Sequence, residues 1–298
     1  MREGPSLGDG SVPGLVGMVG LGVMGSRMAR NLLRAGHMLV VYDKIPSAVE
    51  EAVGAGAAAA KTPEEVARKC RTVLLSLPTT EVVREVVLGK EGLVGGLSHG
   101  GVVIDTSTVD PEVAVELSEE LSAKGCYFLD APVSGGPEGA DKATLSIMVG
   151  GDASAFERSV SLLEKVGKHV FHVGPSGSGQ KMKLFNQGLV SVYFGVVSEL
   201  YPWSRRAGID GDAILEVIQS SWGDSPVFRH FMSVVRSGEF SDGAMVRLFK
   251  KDVTLLLKNA EDNGSRIPLV RLSLRLFERA SESGHDNDDA SVLCKQYE

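Results

Sequence analysis

The chain is short of several things, and each shortage removes a class of function. No apolar run approaches the roughly 20 residues a membrane-spanning helix needs, so no spanning segment and no membrane partner is expected. Cysteine is sparse: Cys70, Cys126 and Cys294 lie far apart with no paired spacing, which argues against a disulfide framework or a thiolate metal site. A reducing compartment, the cytoplasm, is the expected setting. The six histidines, His169 and His172 among them, form no HxxEH-type or Cys/His cluster, so no metal is expected. Basic charge is in deficit as well, with 31 Lys and Arg against 38 Asp and Glu for a net charge of -7. Such a surface has no field to hold a polyanion, and nucleic acid is not an expected partner.

What is present is an ordinary globular composition. With 298 residues and 43% hydrophobic content, the chain has material for one large or two modest domains. Residues 1–13 carry Glu3 and Asp9 with no basic amphipathic pattern, and read as a disordered lead. From Leu15 the chain alternates. A short apolar run to Gly20 flows through glycine-rich sequence into Ser26 to Arg34, where Met28, Leu32 and Leu33 recur at helical spacing. His37 to Asp43 then reads as a second buried strand. Thr62, Pro63 and Glu65 combine an N-cap, an N1 proline and a capping box. Strands over 73–77, 102–105, 127–130, 146–149 and 169–173 alternate with helices over 82–87, 111–124 and 153–166. This order predicts an α/β fold with a mostly parallel, doubly wound sheet. After the Gly/Ser stretch 174–179 the strand signals fade. Helices are predicted over 180–207, 212–221, 246–263 and 268–283, the first containing Pro202 as a potential kink. The expected organisation is a Rossmann-type domain over 14–178 followed by an all-α domain over 179–298.

Gly20, Gly22 and Gly25 form G-x-G-x-x-G where a strand becomes a helix, a context that strengthens an otherwise weak pattern. The first glycine permits a tight turn, the second lets backbone approach a pyrophosphate, and the third lets helix pack on strand. Leu21, Val23 and Met24 complete the loop, and the helix N-terminus is left to face the anion. The plainer reading is a flexible turn. Asp43 ends the second strand 18 residues after Gly25, where a carboxylate accepts ribose hydroxyls and repels a 2′-phosphate. That favours NAD over NADP, although Lys44 beside it would tolerate the phosphate.

With these motifs in place, the chain resembles the β-hydroxyacid dehydrogenase family, which includes 3-hydroxyisobutyrate dehydrogenases and tartronate semialdehyde reductases. The resemblance covers nearly everything after residue 14. It rests on Gly20-Leu21-Gly22-Val23-Met24-Gly25 with Met28-Ala29 and Asn31-Leu32, on Asp130-Ala131-Pro132-Val133-Ser134-Gly135-Gly136, on Gly177-Ser178-Gly179 with Lys183 and Asn186, and on Lys251-Asp252. It implies an oxidoreductase that moves a hydride between a nicotinamide cofactor and a small β-hydroxy acid or its semialdehyde.

That chemistry builds negative charge on a carbonyl oxygen, so a proton donor must stand beside it. The resemblance selects Lys183 over the neighbouring Lys181. Asn186, three residues on, shares its helix face and is expected to hold the lysine or a substrate hydroxyl. Gln187 replaces the second of two successive asparagines found in many members, as in tartronate semialdehyde reductases, which leaves substrate choice open. Ser134, Gly135 and Gly136 offer a hydroxyl and approachable N–H groups to a carboxylate; a plain glycine turn is the alternative. Ala143 stands before Thr144-Leu145 where the family usually has glycine, and a positive φ there would carry strain. Ser107 and Thr108 match the position beside the nicotinamide, with a helix cap before Pro111 as a nearly equal reading. Leu77 and Pro78 end a strand at the cofactor edge or simply pack in the core. Lys251 resembles the family lysine that closes over both ligands, or belongs to a solvated face.

Trp222, Phe228, Phe231 and Phe240 either line the substrate or fill the core. The resemblance implies a homodimer or homotetramer formed through the helical domain, with the apolar stretch 184–200 available for it. Two rival functions remain open: an imine or non-carboxylate aldehyde reductase on the same fold, and a dinucleotide-binding protein without turnover. Decarboxylating 6-phosphogluconate dehydrogenases share the cofactor motif but have a far longer helical region.

Overall fold

The structure is a computed structural model and describes residues 14–241 and 243–298. The lead expected over 1–13 lies outside these residues. The chain forms two compact units, one containing residues up to Thr108 together with Glu112–Gln180, the other containing Val109–Pro111 and Lys181–Glu298.

The first unit is built on β1 (Leu15–Val19), β2 (Met38–Tyr42), β3 (Ala58–Ala59), β4 (Thr72–Leu75), β5 (Val102–Asp105), β6 (Tyr127–Asp130), β7 (Val133–Ser134), β8 (Leu145–Gly150) and β9 (Gly167–Gly174). The sheet order is β3-β2-β1-β4-β5-β6-β8-β7, with β9 on the other edge of β8. Pairing from β3 through β6 is parallel, β8 runs antiparallel to β6 and β7, and β9 is parallel to β8. β1 pairs with both β2 and β4, so consecutive crossovers leave in opposite directions from it. That reversal opens a crevice at the carboxyl ends of β1 and β4. The central strands β1, β4 and β5 are short and almost wholly apolar, as strands covered on both faces must be.

The helices of this unit are α1 (Val23–Arg34), α2 (Pro46–Gly54), α3 (Pro63–Lys69), α4 (Thr80–Leu88), α5 (Leu93–Gly96), α6 (Pro111–Ser122), α7 (Gly136–Asp141) and α8 (Ala153–Leu163). α1 buries Met28, Ala29 and Leu32 against Met18, Leu39 and Leu74. It starts at Val23, inside the glycine motif and three residues before the predicted start. Thr62 caps α3 as expected, accepting from Glu65 N at 3.2 Å. The return bond differs from a capping box: Glu65 Oε2 accepts from Lys61 N, at 2.7 Å, one residue before the cap. α2, α5 and α7 are absent from the expectation because they are short and carry Gly, Pro or few apolar positions.

The second unit contains most of α9 (Ser178–Arg206), with α10 (Gly211–Gln219), α11 (Pro226–Ser237), α12 (Val246–Asp262), α13 (Pro268–Glu282) and a C-terminal 3₁₀ segment, Ala290–Tyr297. Pro202 is accommodated inside α9. The prediction omitted α11, although Ser225 caps it at Phe228 N and Gly238 ends it in the left-handed region. Phe228, Phe231, Phe194, Phe249 and Phe277 form the centre of this unit's core, with Phe249 and Phe277 stacked at 5.3 Å. Phe228 and Phe231 are therefore core residues, whereas Trp222 is fully exposed. No helix among the described residues is long and apolar enough to cross a membrane.

Ala143 has φ 53°, the one positive value at a non-glycine among the described residues. It ends α7 in a Schellman arrangement: Thr144 N donates to Gly139 O at 2.8 Å and Ala143 N to Ala140 O at 3.4 Å. An alanine in this region costs about 1–2 kcal/mol, whereas glycine gives back about 0.5–1 kcal/mol as extra unfolded-state entropy. Ala143→Gly is accordingly expected to stabilise the protein by up to about 1 kcal/mol. Urea unfolding followed by circular dichroism checks this, and a destabilised variant would contradict it.

Candidate active site

The glycine turn lies at the crevice between β1 and β4. Gly20 has φ +91°, and a Cβ there would strike the Ser76 carbonyl oxygen, so neither the turn nor the approach of β4 tolerates a side chain. A Cβ at Gly25 would strike the Gly20 carbonyl, which keeps α1 close on its strand, while one at Gly22 would meet nothing within 4 Å. Tight at its ends and open in the middle, the loop has the shape that a pyrophosphate needs at a helix N-terminus. Val23 is exposed, and Met24 packs against the core. Asp43 Oδ2 accepts from Leu21 N at 2.6 Å and its Oδ1 from Ile45 N at 2.8 Å, which ties the acidic end of β2 to the glycine loop. These residues fit a dinucleotide.

Next to Gly20, Leu77 N donates to Ser107 Oγ at 2.8 Å, joining the segments that follow β4 and β5. Gln180 Nε2 donates to the Ser107 carbonyl at 2.9 Å. Leu77 and Ser107 therefore share one ledge beside the glycine turn, with Pro78 and Thr108 next to them in the chain. Ser134, Gly135 and Gly136 lead from β7 into α7 with both glycines at positive φ, +131° and +63°. A Cβ at Gly136 would meet nothing within 4 Å, so its backbone is approachable. α7 is fastened to α1 by the buried bond Asn31 Nδ2 to Ala140 O, 2.6 Å, and by Arg27 and Arg30 paired to Asp141.

The sequence reading gave Asp130 no role. Fully buried at the end of β6, it accepts from Gly177 N at 2.8 Å and from Gln180 N at 2.9 Å, which makes it a cap for α9 supplied from a distant strand. Burial pushes its carboxyl up to about 6, against the pull of the Gly177 and Gln180 amides.

In the helical unit, Lys183 is buried and its Nζ donates to Gln187 Oε1 at 2.9 Å. The expectation that Asn186 holds the lysine is revised. Asn186 Nδ2 donates to the same Gln187 oxygen at 3.2 Å, and it is Gln187, four residues on, that meets Nζ. Gln187 Nε2 in turn donates to Asp252 Oδ2 at 2.7 Å, and Lys251 Nζ stands 3.1 Å from Asp252 Oδ1. Burial lowers the Lys183 ammonium to about 8, with Asp252 opposing the shift and Lys251 adding to it. Asp252 is the second residue without a predicted role. Its signal in the sequence is a carboxylate on the apolar face of α12 that buries Phe249, Val253 and Leu257.

The chain is similar over most of its length to known proteins. Residues 15–174 match the NAD binding domain of 6-phosphogluconate dehydrogenase, and residues 177–297 match the NAD-binding family of NADP-dependent 3-hydroxyisobutyrate dehydrogenase. The chain is 35% identical to a 3-hydroxyisobutyrate dehydrogenase of Pseudomonas aeruginosa, over 95% of this chain and 98% of that one. It is 34% identical to an NAD-dependent L-serine dehydrogenase of the same organism, over 95% and 97%. The crystal structure of a 3-hydroxyisobutyrate dehydrogenase from Salmonella typhimurium superposes with a TM-score of 0.85 at 31% identity, covering 95% and 99% of the two chains.

The chain belongs to the β-hydroxyacid dehydrogenase family. It is an NAD(P)-dependent oxidoreductase acting on a CH–OH group of a small hydroxy acid.

Removing the Asp130 carboxylate leaves two buried amides at the start of α9 without an acceptor. Asp130→Ala is expected to cost about 2–4 kcal/mol. Chemical denaturation checks this, and a loss below about 1 kcal/mol would show that the cap carries little.

Proposed function

We propose that the chain oxidises a small β-hydroxy acid, or reduces the matching semialdehyde, with NAD in preference to NADP, and that Lys183 moves the proton. The observation that carries this reading is a buried lysine with a fixed amide acceptor and an ammonium brought close to working pH. In oxidation the neutral Lys183 amine accepts the hydroxyl proton; in reduction the ammonium returns it to the developing alkoxide. A bound nicotinamide would supply the hydride acceptor for oxidation at the carbinol carbon and the hydride donor for the reverse reaction. Ser134 Oγ and the N–H groups at Gly135 and Gly136 receive the substrate carboxylate, and Asn186 a substrate hydroxyl. Gly20 to Gly25, Asp43, Leu77, Pro78, Ser107 and Thr108 would hold the cofactor, and Lys251 is assigned to it as a cation.

On the division expected from the sequence, the dinucleotide is assigned to residues 14–178 and the proton-transferring group to 179–298. Asp43 supports NAD because its carboxylate repels a 2′-phosphate, although the adjoining Lys44 weakens that repulsion. The candidate substrates are 3-hydroxyisobutyrate, L-serine and other three- to four-carbon acids hydroxylated at the β-carbon. A second copy of the chain is the proposed partner. Phe185, Leu189, Val196, Leu200 and Trp203 recur at helical spacing on α9 and are all exposed, Phe185 at 64%. The three free, buried cysteines accord with a cytoplasmic setting.

Nicotinamide absorbance followed with 3-hydroxyisobutyrate, L-serine, glycerate and tartronate semialdehyde tests the reading. Lys183→Ala is expected to lower turnover by roughly 10²–10⁴-fold while the Kd for NAD holds. Because burial lowers the Lys183 pKa, kcat/KM for oxidation should rise with pH and level off above about 8, and that for reduction should fall over the same range. Wild-type turnover in the variant, or a KM for NADP below that for NAD, would contradict the corresponding assignment.

A further inference from the structure

Gln187 lies between two groups with opposite needs. Its Oε1 accepts from Lys183 Nζ at 2.9 Å and from Asn186 Nδ2 at 3.2 Å, while its Nε2 donates to Asp252 Oδ2 at 2.7 Å. An ammonium has only donors to offer and an ionised carboxylate only acceptors, so one orientation of the amide serves both neighbours. Flipped, the NH₂ would face Nζ and the oxygen would face the carboxylate. Lys183, Gln187 and Asp252 are all buried, where water does not relax such contacts.

We propose that Asp252 is a positioning residue that acts through Gln187: by holding Nε2 it aims Oε1 at the Lys183 ammonium and fixes where that group points. The proposal rests on the reading of Lys183 as the proton-transferring group. A lysine head on a four-carbon stem has many rotamers, and a fixed acceptor removes most of them before substrate arrives. The amide also keeps the carboxylate one side chain away from Nζ. A direct ion pair would hold the proton on the lysine; here Asp252 supports the ammonium through an intervening neutral group, and Lys251 draws on the other carboxylate oxygen at 3.1 Å. Asp252 and Lys251 are the charged groups whose influence Lys183 registers.

The length of Gln187 matters for the same reason. An asparagine is one C–C bond, about 1.5 Å, shorter and reaches only one of the two partners. Packing alone gives no account of Asp252: on the buried face of α12 an apolar residue of similar volume would serve as well or better.

The test compares wild type, Asp252→Ala, Asp252→Asn and Lys183→Ala. Turnover of 3-hydroxyisobutyrate and L-serine with NAD is one readout. The other is an NMR titration of ¹³Cε-lysine, with the Lys183 signal assigned by its loss in Lys183→Ala. In Asp252→Ala, kcat is expected to fall roughly 10- to 100-fold, with the KM for NAD within about twofold of wild type. Its Lys183 titration midpoint should move below the wild-type value. Asp252→Asn, whose amide oxygen still accepts from Gln187, is expected to lose less turnover yet show the same downward shift, because the charge is gone.

The proposal is overturned if Asp252→Ala folds, binds NAD and keeps both wild-type kcat and the wild-type Lys183 midpoint. It is also overturned if both Asp252 variants lose thermal stability and activity together while the midpoint stays in place, the behaviour of a structural residue. If Lys183→Ala itself keeps turnover, the proton-transfer reading fails separately, and the titration still decides whether Asp252 supports the ammonium.

Discussion

Holding the Lys183 ammonium out of water costs free energy, and the helical unit meets that cost with a neutral amide backed by a carboxylate. The result is a lysine whose charge is conditional. Ordinary surface lysines keep their proton through the physiological range, whereas burial lowers the pKa of this one to about 8. A group poised there gives and takes a proton with little penalty in either direction, which suits a reversible hydride transfer. The spacing along α9 follows from this. Positions i and i+4 share a helix face, so Lys183 meets Gln187, and α12 supplies the carboxylate, Asp252, that Gln187 holds.

The sheet unit answers to a different constraint, the close approach of backbone to backbone at the carboxyl ends of its strands. Gly20 leaves room for the β4 carbonyl, Leu77 is tied to Ser107, and Asp43 is tied to Leu21. Asp130 extends the same principle to the next segment by capping the first turn of α9 from the end of β6. None of these contacts is large in energy. Together they tie the turn, the ledge and the start of α9 into place at the carboxyl ends of the strands.

Much of this was legible in the sequence. The alternation of apolar runs with capped helices gave the parallel sheet, and the glycine motif in its strand-to-helix context gave the crevice. The positive φ of Ala143 was readable from a residue type standing where glycine is usual. Helix starts were harder, since α1 begins inside a glycine motif of poor helix propensity; α11 was missed although Ser225, Pro226, the spacing of Phe228, Phe231 and Met232, and Gly238 all signal a helix. Least legible were contacts between distant residues. Asp130 and Asp252 stand inside recognisable motifs, yet their partners are 47 to 65 positions away along the chain, and no local pattern encodes a partner at that range. Gln187 carries only a question of substrate choice in the sequence; that it, and not Asn186, meets Lys183 is visible only once side-chain reach is known.

The most direct measurement of the central claim is chemical rescue of Lys183→Ala. With NAD and 3-hydroxyisobutyrate or L-serine, whichever the wild type oxidises, added methylamine should restore part of the lost turnover in proportion to free amine concentration. Ammonia and ethylamine should follow in an order set by their basicity and size. A variant that turns over at the wild-type rate without any amine would contradict the account, because the proton would then be moving through another group.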